Sequence, residues 1–149
     1  MATADTPKIS DANLREVQDV WLARLADLVQ TVKQWAEELG WSTRRIETKL
    51  QDSQIGSYLA PALLLQIEAR KALLEPIARS APGAEGVVDL YLMPAYDDVA
   101  SLYFCDGAWQ MHYTLSGSPS DGTIRAANFQ PLSKETLRRV LDEMRMNAA

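Results

Sequence analysis

The stretch VASLYFCDGAWQMHYTL, residues 99–115, most narrows what this chain can fold into. Asp106-Gly107 sits between two alternating runs. An Asp-Gly pair in that setting signals a two-residue hairpin, because the favoured turn needs positive φ at both central residues. So short a turn also sets the register. Cys105 then faces Ala108, Phe104 faces Trp109, Leu102 faces Met111, Ser101 faces His112 and Ala100 faces Tyr113. Residues directly opposite each other share a face. Leu102, Phe104, Trp109, Met111 and Tyr113 therefore form a core face, and Ser101, Tyr103, Cys105, Gln110 and His112 form the other. An isolated ribbon is marginal in water, so the hairpin requires more strands and a cover for its apolar side.

The neighbouring sequence supplies both. Val87–Met93 alternates Val88, Leu90 and Leu92 with Asp89, Tyr91 and Met93, and ends at Pro94 and the loop AYDD. Upstream, residues 58–79 are rich in helix formers, but Pro76 would delete a hydrogen bond and clash inside a helix. The segment reads as a hairpin of two strands, with Pro61 and Pro76 at edge or terminal positions; a kinked helix is the alternative. Residues 42–50 alternate as a strand, with a short helix as the alternative. Residues 80–86 form a turn-rich connector, and residues 116–123, SGSPSDGT, a flexible loop.

Two helices frame these strands. Leu14, Trp21, Leu28 and Trp35 repeat every seven residues, with Gln18, Leu25, Val32 and Leu39 offset by four. Leu22, Val29 and Ala36 widen that seam into the broad stripe of a helix lying on a sheet, rather than the narrow seam of a coiled coil. The helix spans about 12–39, with Ser10 and Asp11 before it and Gly40 after it. Ser133 caps a final helix whose Leu137, Val140, Leu141 and Met144 make one apolar stripe. The expected product is a single α+β domain over 1–149, with 1–9 a loose tail. Both helices cover one face of a mainly antiparallel sheet of five or six strands.

Composition restricts function. The net charge of −5 disfavours a protein that tracks phosphates on nucleic acid. One cysteine, Cys105, permits no internal disulfide, and a reducing cytoplasmic setting is the expectation. No apolar run is long enough to span a bilayer, and the N-terminus lacks the pattern of a secretion signal. His112 is the only histidine, so no multi-histidine metal site can form. No dinucleotide or P-loop fingerprint occurs, and no catalytic residue, metal site or cofactor is expected. The size, acidity and helix-sheet-helix order loosely resemble those of secretion chaperones and bacterial immunity proteins, without residue-level correspondence.

The face opposite the core then draws attention. It carries Asp89, Tyr91, Ser101, Tyr103, Gln110 and His112, and tyrosines among small polar groups are what interfaces use. Tyr91 and Tyr103, of like parity, are expected to form an exposed pair there. The leading expectation is a non-enzymatic binding module, such as an adaptor, chaperone or inhibitor, meeting a protein partner or a second copy of itself through this face. The alternative is a small metal-dependent hydrolase using the Asp97/Asp98 loop with Glu75 or His112.

Overall fold

The computed structural model describes residues 11–96, 98–113 and 129–147. Its elements run α1 (Asp11–Glu38), β1 (Ser42–Asp52), β2 (Gly56–Ile67), β3 (Arg70–Ala78), β4 (Val87–Leu92), β5 (Val99–Cys105), β6 (Ala108–His112), β7 (Phe129–Pro131) and α2 (Lys134–Asn147). Among the described residues the strands form one seven-stranded antiparallel sheet in simple sequence order. The α+β class holds, with one or two strands more than the sequence suggests. The extra strand is β7, three residues paired to β6, too short to show any periodicity. The tail at 1–9 and the loop at 116–123 lie outside the described residues.

Each helix ends as its sequence dictates. Gly40 takes φ 97° after α1, and the Trp41 and Gly40 amides donate to the Ala36 and Glu37 carbonyls at 2.9 and 3.1 Å. That is a Schellman stop, in which the left-handed residue satisfies carbonyls the helix leaves free. At the start of α2, the Ser133 hydroxyl accepts from the Thr136 amide at 3.1 Å, while Thr136 Oγ1 accepts from the Ser133 amide at 2.8 Å. Threonine thus closes a reciprocal capping box.

Trp21, Leu25, Leu28, Val29, Val32 and Ala36 of α1 are buried in one cluster with Leu137, Val140, Leu141 and Met144 of α2. The sheet contributes Leu63, Leu65, Leu74, Val88, Leu90, Leu102 and Met111 to the same cluster. The seven-residue series of α1 is therefore a sheet-packing stripe. The hairpin register agrees with the sequence from Cys105↔Ala108 to Ser101↔His112, and Asp106 and Gly107 take φ 52° and 80°. Phe104 and Trp109 are half-buried at the rim of the core face, edge to face at 5.2 Å, with the Arg24 guanidinium over the Phe104 ring at 3.9 Å.

Residues 58–79 form two strands as expected, but the prolines are not on edge strands. β2 and β3 are both interior. Their ladder runs from Ile67↔Arg70 to Leu63↔Leu74 and ends there. Continued by two residues, it would set Pro61 opposite Pro76. Neither proline has an amide to donate, so pairing lapses and the sheet splits at this point. Within β2, the residues buried against α1 change phase from Tyr58 and Ala60 to Leu63 and Leu65. Trp21 of α1 donates from Nε1 to the Tyr58 hydroxyl of β2, beyond the split, at 2.9 Å. Beyond the split, Arg79 ties the end of β3 to the β1–β2 turn, through Asp52 at 2.6 Å and Gln54 at 2.6 Å.

Candidate sheet-face site

Antiparallel register turns the alternation of single strands into rows across the sheet. Glu75 lies opposite Asp89, Asp89 opposite Ser101, Ser101 opposite His112, and His112 opposite Phe129. One polar row thus crosses β3 to β7. On one side of it runs Leu73–Tyr91–Val99, and on the other Val87–Tyr103–Gln110–Pro131. All six residues that the sequence singles out stand on this face, and none belongs to the core cluster beneath the helices.

Their arrangement corrects one expectation. Tyr91 and Tyr103 do not pair; they occupy the rows flanking Asp89. Tyr91 instead meets Tyr96 edge to face at 4.6 Å, and Tyr103 tilts toward Phe129 at 6.0 Å. Both tyrosines are half-buried. Tyr96 and Phe129 are the exposed rings, at 54% and 40%. Sequence reasoning missed both, since one lies in a loop and the other in the shortest strand.

The centre of the polar row is dry. Asp89 is 7% exposed, the only buried charged side chain among the described residues. Ser101 donates its hydroxyl to Asp89 at 3.0 Å, and Tyr91 donates to Glu75 at 3.4 Å. Among the described residues no lysine or arginine forms an ion pair with either carboxylate. Burial raises the Asp89 carboxyl above its ordinary range and the Glu75 charge adds to the rise, outweighing the Ser101 hydrogen bond. Burial and then the Glu75 charge likewise raise the Tyr91 phenol. Next along the row, His112 stacks on Phe129 at 4.7 Å, and its buried Nε2 has no hydrogen-bond partner.

This geometry bears on what the face can do chemically. The Ser101 hydroxyl is committed to Asp89, so it forms no nucleophile–base contact with His112. Cys105 is a free thiol beside the hairpin turn, opposite Ala108. Asp98 points elsewhere, accepting from the Tyr113 hydroxyl at 2.8 Å and from Asn147 at 3.3 Å, and Asp97 lies outside the described residues. No three His, Cys, Asp or Glu side chains among the described residues are grouped to hold a metal. Among them too, no helix is long and apolar enough to cross a membrane. The face offers one buried and one half-buried carboxylate beside aromatic rings.

Comparison with protein-family models, with curated proteins and with solved structures finds no match to this chain.

Proposed function

We propose that the protein is a small non-enzymatic binding module whose docking surface is the sheet face that neither helix covers. The observation that carries this reading is the set of half-buried and exposed rings around the polar row, with Tyr91, Tyr96 and Tyr103 beside it and Phe129 at its β7 end. Rings give contact area with few rotatable bonds, and tyrosine hydroxyls tolerate partial hydration, which suits a surface alternating between free and bound states. The partner is a protein segment or a second copy of this chain.

Combining Tyr91→Ala with Tyr103→Ala tests the reading. Ring anchors at an interface centre can each contribute about 2 kcal/mol or more to binding. The double variant is expected to keep its fold by circular dichroism and to lose association, measured by sedimentation for self-association and by affinity capture from the native cell for a partner. A folded variant that associates as the parent does would remove this face from the binding surface.

A further inference from the structure

We propose that the row Glu75–Asp89–Ser101 receives a basic side chain, a lysine or arginine, from an extended segment of the docked partner. The inference rests on the docking reading above and names the chemistry that face selects. Charge complementarity carries it. Glu75 and Asp89 face each other across β3 and β4, Asp89 is almost fully buried, and no cation among the described residues neutralises them. Two carboxylates on facing positions, Asp89 buried and Glu75 half-buried, repel each other, and an incoming cation relieves that repulsion.

The surroundings suit a guanidinium or an ammonium with a long stem. Tyr91 and Tyr103 wall the row on either side, and aromatic faces attract cations while covering aliphatic stems. A planar fork can bond both carboxylates at once. At the next position of the row, the buried His112 Nε2 has no hydrogen-bond partner among the described residues. A second copy fits poorly, because the chain carries net charge −5 and a face-to-face dimer would oppose one acidic row to another.

The probes are the peptide Ac-Gly-Val-Arg-Val-Gly-NH2 and its citrulline counterpart, which keeps the shape and loses the charge. Each is titrated to millimolar concentration into ¹⁵N-labelled protein. The arginine peptide is expected to shift the amide signals of Asp89, Ser101 and His112. The citrulline peptide should bind at least about tenfold more weakly, as lost charge-assisted hydrogen bonds dictate. Glu75→Gln should remove that preference, and Asp89→Asn serves the same purpose if Glu75→Gln fails to fold. Equal binding of both peptides on this face would overturn cation selection and leave the docking surface standing. No shift on the face with the arginine peptide, or a preference that survives both substitutions, would overturn the inference too. The tyrosine double variant judges the docking reading independently.

Discussion

Trp21→Ala is expected to lower the unfolding free energy by about 3–5 kcal/mol in urea denaturation, a large share of the stability of an ordinary domain. The indole is 2% exposed and bonds Tyr58, on the part of β2 that lies beyond its last residue paired with β3. Its removal leaves a cavity and strips the Tyr58 hydroxyl of its hydrogen-bond donor. The same ring lies on Gly86, where an added Cβ would come within 2.6 Å of Trp21 Cζ3. Gly86→Ala should therefore cost about 1–3 kcal/mol through overpacking in the parent, and much less in the Trp21→Ala background. Strict additivity of the two substitutions would show that the indole does not rest on Gly86.

Asp52→Ala is expected to cost about 2–3 kcal/mol at neutral pH, because one carboxylate holds the far side of the same split. Asp52 accepts from the Gln54 and Ile55 amides at 2.8 and 3.0 Å and pairs with Arg79 at 2.6 Å. Burial works against its charge, but the Arg79 hydrogen bond and the two amides prevail and lower its pKa. A carboxyl whose folded pKa lies below its unfolded one stabilises fully above the unfolded value. The stability lost in Asp52→Ala should therefore be constant above about pH 5 and shrink below about pH 4 as the parent's carboxylate protonates. Denaturation midpoints of parent and variant across that range check it; a gap that widens in acid would contradict the assignment.

What the sequence discloses depends on whether a local rule governs the feature. Asp106-Gly107 permits one tight turn, so Ser101 opposite His112 is legible from residues alone. Asp89 opposite Ser101 is not, because six residues join β4 to β5 and no turn rule sets that register. Glu75 opposite Asp89 is harder still, since a register shift between Pro76 and Ala78 intervenes. The β2–β3 turn at Glu68-Ala69 carries no glycine, and Glu68 takes φ 53° without advertising it. The prolines mark these strands as unusual, but only the paired ladder shows that together they end it. The strand parities placed six residues on one face; their order across it, with a dry acidic centre between rings, comes from long-range pairing that no single segment encodes.

That dry centre gives the most direct test of a face shaped for a partner rather than for folding. Asp89→Asn keeps an acceptor for Ser101 and removes a buried charge beside Glu75. A carboxyl whose folded pKa is raised detracts from stability above that pKa, and the deficit disappears as pH falls toward the unfolded value. Thermal melts of parent and Asp89→Asn are the measurement. The expected result is a variant more stable by about 1 kcal/mol at pH 7.5, a rise of about 2–4 °C, with the advantage fading toward pH 4. A variant that melts below the parent at pH 7.5 would show that the ionised Asp89 serves the fold, and would contradict an acidic row held ready for a partner's cation.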